Sequence, residues 1–294
     1  MRQGFFGLVV FALGLNASGG CSVAIDVDGK QCSADADCTA RDLGDMCVHN
    51  VCVRSQTGGP DAGPDDKKSD VPERFQCGAD GSGSLSETVH YTFQVVEFVT
   101  RKAPEGLVVL ACRNNDVVCA DPSARYEDTN GTGLVELDLP FGFMGFFEVK
   151  SKVTLPALSY LTKPVLEDRR DRDLQVASAK TVEGLAAIAN MPFDETKGIV
   201  MIEAFDCTRM PAEGVHFTEA KGGSTAFYLV NHVPNAEVTA SVYDKDNNVA
   251  DGGFLNVMPG YVTFSAYYGK DGPLLGEFNA AVRASTVTFI DMYF

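Results

Sequence analysis

Ala-Pro-Glu-Gly-Leu-Val-Val-Leu-Ala-Cys, from Ala103 to Cys112, is a Pro/Gly-marked turn feeding an apolar run. It is followed by an Asn130-Gly131 turn and by Val-Glu-Leu-Asp-Leu-Pro-Phe-Gly-Phe from Val135 to Phe143. The same order returns further on. Met-Pro-Ala-Glu-Gly-Val-His-Phe spans Met210 to Phe217, Asp251-Gly252 marks a turn, and Gly-Phe-Leu-Asn-Val-Met-Pro-Gly-Tyr spans Gly253 to Tyr261. Gly106 corresponds to Gly214 and Pro140 to Pro259, so one kind of unit is expected to be folded twice.

The strands between these turns read by alternation. Tyr91, Phe93 and Val95 share one face of a strand and His90, Thr92 and Gln94 the other; Val95-Val96 breaks the phase, as a bulge or edge does. Val135, Leu137 and Leu139 alternate with Glu136 and Asp138. Short strands with Gly, Pro, Asn and Asp turns, and no helix between them to make a parallel sheet, predict a mainly β chain of sandwich domains. Further strands are expected at Ile199–Phe205, Val215–Thr218, Thr225–Val230, Val238–Tyr243, Tyr261–Tyr267 and Thr286–Phe294. Leu155 to Arg172 reads as an extended connector. One short helix is expected from Thr181, its N-cap, to Asn190, ended by Met191-Pro192.

Pro104-Glu105-Gly106, the Asp128-Thr129-Asn130-Gly131 turn, Val135 to Gly142 and Pro259-Gly260-Tyr261 resemble the carboxypeptidase-regulatory-like (transthyretin-like) β-sandwich. Pro140-Phe141-Gly142-Phe143 departs from that family's Pro-Gly-x-aromatic ending by an inserted Phe. The resemblance covers about Val89 to Phe294 and implies a seven- or eight-stranded accessory fold without catalytic residues of its own. The whole chain is similar to bacterial surface lipoproteins that join a Cys-rich head to such domains.

The N-terminal stretch agrees with export. Gly4 to Leu15 is an uncharged apolar run after Arg2, too short to span a bilayer and suited to a signal peptide. Ser18-Gly19-Gly20-Cys21 resembles a lipobox, with Ser18 where the family prefers Leu; cleavage after Ala17-Ser18-Gly19 is the alternative. Nine cysteines are an odd number for an exported chain, and acylation of Cys21 leaves an even set to pair. Ser22 after the cysteine implies, by the same resemblance, an outer-membrane or cell-surface destination.

Cys32, Cys38, Cys47 and Cys52 stand among small and acidic residues with too little apolar material for a core, which predicts a disulfide-held module rather than a zinc site. Cys77, Cys112, Cys119 and Cys207 complete the disulfide candidates. Asn114-Asn115-Asp116 offers a reversal that brings Cys112 to Cys119, leaving Cys77 for Cys207; the other two connectivities remain open. The expected organisation is signal peptide 1–20, acylated N-terminus and disulfide-rich module 21–55, disordered spacer 56–73, first sandwich 74–165, and short helix with second sandwich 166–294.

Chemistry is harder to find. A net charge of −16, from 40 acids against 24 bases, argues against nucleic acid as a partner. His49, His90, His216 and His232 form no constellation, nucleophile-elbow and zinc-protease motifs are missing, and 40 scattered acids hide any catalytic pair. Asp244-x-Asp246-x-Asn248 imitates a calcium loop but has Val249 and Leu255 where Gly and Glu belong. No cofactor or metal is expected. Met144 and Phe146 share a strand face and would form an apolar binding patch if that face is open. The chain therefore reads as a non-enzymatic, lipid-anchored envelope protein for binding, adhesion or assembly support. Its expected partners are membrane lipid through Cys21 and an envelope or extracellular protein or glycan. A carbohydrate-binding accessory role, or a secreted hydrolase, are the alternatives.

Overall fold

The computed structural model describes residues 71–75, 87–188, 190–231, 233–244 and 249–294, with Ala36 and the backbone of two short strands. Those strands, β1 (Met46–Val48) and β2 (Val51–Val53), form an antiparallel hairpin within the unit Met1–Gly63, with Cys47 opposite Cys52. Cys21, Cys32, Cys38 and Cys77, the signal peptide, residues 56–70 of the spacer, His49 and His232 lie outside the described residues.

The second unit, Pro64–Phe294, contains β3 (Thr88–Glu97), β4 (Val108–Arg113), β5 (Ala124–Glu127), β6 (Leu134–Pro140), β7 (Gly145–Lys150) and β8 (Ala157–Tyr160). They are followed by β9 (Arg169–Arg170), β10 (Leu174–Val176), helix α1 (Ala179–Ile188), β11 (Gly198–Phe205), β12 (Val215–Glu219) and β13 (Thr225–Val230). Last come β14 (Val233–Asn235), β15 (Asp251–Val257), β16 (Gly260–Tyr268), β17 (Leu274–Val282) and β18 (Val287–Tyr293).

Their pairing shows the repeat. In the first sandwich β3 is antiparallel to β6 and parallel to β9 and β10, facing a sheet in the order β5-β4-β7-β8. In the second, β11 is antiparallel to β15 and parallel to β18, facing a sheet in the order β12-β16-β17. The pairs β4–β7 and β12–β16 correspond, and Gly106 and Gly214, which precede β4 and β12, both have left-handed backbones, φ 68° and 82°. Tandem β-sandwiches are therefore present, and they are fused: β8 pairs in parallel with β18, making one nine-stranded sheet from strands of both halves.

That fusion explains where the expectations fail. Leu155 to Arg172 is not merely a connector, because β8 inside it is an interior strand buried on both faces. Parallel pairs occur without helical crossovers, since β11–β18 and β8–β18 join strands far apart in the chain. β9 and β10 carry the first sheet to Val176, past residue 165. Val238–Tyr243 is not a strand; Ser241 ties it to Val215 by a backbone hydrogen bond of 2.8 Å and a hydroxyl–amide bond of 3.0 Å. The helix starts earlier than expected. Ser178, not Thr181, caps it, its hydroxyl accepting the Thr181 N–H at 3.1 Å.

Each face of the long sheet has its own cover. Val89, Tyr91, Phe93, Leu137 and Leu139 pack on Phe147 and Val149, with the Phe147 ring centroid 5.1 Å from those of Tyr91 and Phe93. The opposite face puts Phe146, Leu158, Tyr160, Val200, Ile202 and Ile290 beneath β16 and β17, where Tyr160 accepts the Ala281 N–H at 3.0 Å. Each such aromatic or aliphatic side chain stabilises the fold by about 1.5–3 kcal/mol. Met144 and Phe146 therefore form no patch: Phe146 is 0% exposed under the second cover, and only Met144 reaches solvent. Among the described residues no helix is long and apolar enough to cross a membrane.

Candidate functional site

On the face that β3 and β10 cover, the cover is incomplete. The β3–β10 sheet lies over β7 and β8, while α1, through Ala186 and Val182, lies over Ile199, Phe227, Leu255 and Val287. Between the two covers is a cavity of about 940 Å³ floored by the nine-stranded sheet. Such a volume falls in the range of small-molecule sites, about 300–1,000 Å³. One end is apolar, with Met191, Ile199, Met201, Phe227 and Phe289.

The other end is acidic, and strand register makes it so. Glu203 on β11 stands opposite Asp251 on β15 and opposite Asp291 on β18. Side chains directly opposite in adjacent strands lie about 4.5–5.5 Å apart at Cβ, so three carboxylates form a row across the sheet floor. Gly253 permits the β15–β11 approach, since a Cβ there would collide with the Val200 carbonyl oxygen. The segment Arg169 to Asp173, which begins as β9, comes down on this row. Arg169 pairs with Asp171 at 2.9 Å, the Tyr91 hydroxyl donates to Asp171, and Arg172 pairs with Glu203 while its guanidinium stacks 5.0 Å from the Phe205 ring centroid.

Burial dominates the electrostatics. It pushes Glu203 up to about 8, with the Asp251 charge adding to it. Asp291 rises to about 8 by burial and by Glu203 and Asp171; Asp251 rises to about 7 by burial, against the opposing pull of Arg172. Asp251 Oδ1 is buried and has no hydrogen-bond partner among the described residues. Of the cavity's charged lining, Asp171, Asp173, Glu203, Asp251 and Asp291 outnumber Arg101 and Arg172.

Of the described candidate residues singled out in the sequence, Asp244 alone acts on this site, through its charge on Asp251; the others lie elsewhere. His90 sits on β3 with its ring 3.0 Å from Asp138, a hydrogen bond that raises its pKa, and His216 is on β12 with Nδ1 2.6 Å from the Thr239 carbonyl oxygen. The structure does not bring the two together. Asp246 and Asn248 lie outside the described residues, and Asp244 bridges to Val249. Cys112 and Cys119 are disulfide-bonded, with α-carbons 5.3 Å apart, and Cys207 is also in a disulfide. Cys112, Cys119 and Glu148 lie close enough to hold a metal, but the sulfurs are bonded to each other. Glu148 is held by Arg283 and, at 2.9 Å, by Lys150. That trio is structural.

No protein-family model and no curated sequence matches this chain. Among solved structures, the Bacillus anthracis TIE protein aligns over 70% of this chain at 10% identity and a TM-score of 0.22. This chain spans 34% of that protein. A streptococcal ancillary pilin aligns over 70% of this chain and 68% of its own at 13% identity and a TM-score of 0.21. The minor pilin GBS52 of Streptococcus agalactiae aligns over 70% and 94% at 14% identity and a TM-score of 0.22. Likenesses of this strength assign no activity.

Proposed function

We propose that this chain is a non-enzymatic binding protein of the cell envelope, anchored by acylation of Cys21, whose sandwiches hold a small ligand in the cavity between β3–β10 and α1. The observation that carries the binding role is the cavity itself. On this face of the sheet the two covers leave a cavity of about 940 Å³ between them, with polar groups gathered at one end. Adhesion or assembly support would then be the use to which a tethered binding domain is put. The anchor rests on the lipobox-like run ending at Cys21 and on the odd cysteine count.

A thermal-shift screen of amphiphiles, sugars and amines tests the binding role, with Ser159→Phe as the cavity-filling variant. Ser159 is on the cavity floor in β8. Ligands that raise the melting temperature of the wild type and not of a folded Ser159→Phe chain support it; shifts equal in both contradict it.

A hydrolytic reading has one observation in its favour, since buried carboxylates with raised pKa in a cavity are the groups general acid–base catalysis uses. Turnover on a panel of chromogenic glycosides and peptides that Asp291→Asn abolishes would replace the binding reading with that one.

A further inference from the structure

The geometry points to a ligand with a cationic amine head and an apolar body, its head set against Asp251 and Asp291 and its body lying along Met201 and Phe289 toward α1. This rests on the binding reading above and names the class of ligand. Three observations converge on it. The cavity is amphipathic along its length, apolar under α1 and acidic where β15, β11 and β18 align their carboxylates. The acids are in surplus: Arg169 is engaged with Asp171 and Arg172 with Glu203, and neither of those ion pairs includes Asp251 or Asp291. Finally, Asp251 Oδ1 is buried in the cavity wall without a donor among the described residues. A buried acceptor left without a donor is unfavourable, and an ammonium ligand supplies the donor.

An anionic ligand is disfavoured by the same residues. Its head would face the carboxyl groups of Asp251 and Asp291, a like-charge contact that disfavours it at this end. A neutral ligand leaves the charge surplus uncompensated.

The test uses the full chain carrying Cys21→Ala, purified under oxidising conditions without detergent. Decylamine, decanol and decanoate, each below its micelle concentration, are titrated calorimetrically at pH 8. The expected result is one decylamine per chain, bound at least tenfold tighter than decanol and with no saturable binding of decanoate. Asp251→Asn should weaken decylamine at least tenfold, whereas Asp138→Asn, on the exposed face of β6, should not change it. The wild-type series decides the question even if Asp251→Asn fails to fold. Decanol or decanoate binding as tightly as decylamine overturns the cationic class and leaves the binding cavity standing. Failure of all three to bind overturns both.

Discussion

At the scale of single residues, Asp251, Glu203 and Asp291 make the fold pH-sensitive. Their folded pKa values, about 7, 8 and 8, lie above the ordinary carboxylate range of about 4. Between pH 4 and those values the folded chain binds more protons than the unfolded chain, so stability falls as pH rises. The full benefit is present below about pH 4 and is lost as pH climbs through 7 to 8. Arg172, Asp171, Asp173, Asp244 and Tyr293 share this surrounding, and Arg172 opposes the trend. Chemical denaturation between pH 5 and 9 should show the unliganded chain losing stability toward pH 9. Asp251→Asn, which cannot ionise, should flatten that slope; an unchanged slope would mean the row is not what titrates. None of this was visible in the sequence. Each acid sits in an ordinary strand, and only the pairing of β11 with β15 and β18 turns three of 40 scattered acids into a row.

At the scale of elements, alternation was the readable signal where strands are buried on one face. β6 shows it plainly, with Val135, Leu137 and Leu139 buried and Glu136 and Asp138 exposed. It fails for β7, where burial reaches both faces: Phe147 and Val149 pack on one side and Phe146 on the other, where Glu148 is buried with Arg283 and Lys150. The Phe146 expectation failed for that reason. Turn chemistry survived better. Asp116 accepts amide hydrogens from Ala120 at 3.0 Å and Asp121 at 2.9 Å, closing the reversal that joins Cys112 to Cys119. A double Ser variant of that pair should lose about 2–3 kcal/mol by the chain-entropy estimate for so short a loop, read as a lower denaturation midpoint. Gly253→Val should cost more than a surface substitution, since its side chain must displace the Val200 carbonyl and break the β11–β15 register. If stability and decylamine binding both survive Gly253→Val, the register argument for the acidic row is wrong.

At the scale of the whole molecule, two copies of one pairing scheme are fused into a single sheet, and the cavity is a consequence of that fusion. The first sandwich covers its half of the shared face and α1 covers the other, and between them the acids of β11, β15 and β18 are met by Asp171 and Arg172 of the β9–β10 segment. The repeat was legible because its turns need particular residues, Gly106 and Gly214 above all. The fusion was not, because β8–β18 pairing leaves no local mark on either strand. Two predictions about cysteines belong to this scale. Cys77 is expected to be the partner of Cys207, whose N–H bonds the Arg74 carbonyl oxygen at 3.0 Å three residues before Cys77. Non-reducing peptide mapping that joins Cys207 to a cysteine of residues 21–55 instead would reject this. Cys21→Ala should move the protein from the membrane to the soluble fraction, and retention of the variant at the membrane would remove the anchor from the proposal.

The most direct measurement is a crystal structure of the full chain carrying Cys21→Ala, grown at pH 8 with decylamine. The expected result is a single amine in the cavity between β3–β10 and α1, its nitrogen within about 3 Å of Asp251 Oδ1 and its chain against Met201 and Phe289. A cavity closed by side chains, with the amine elsewhere or absent, would contradict the account.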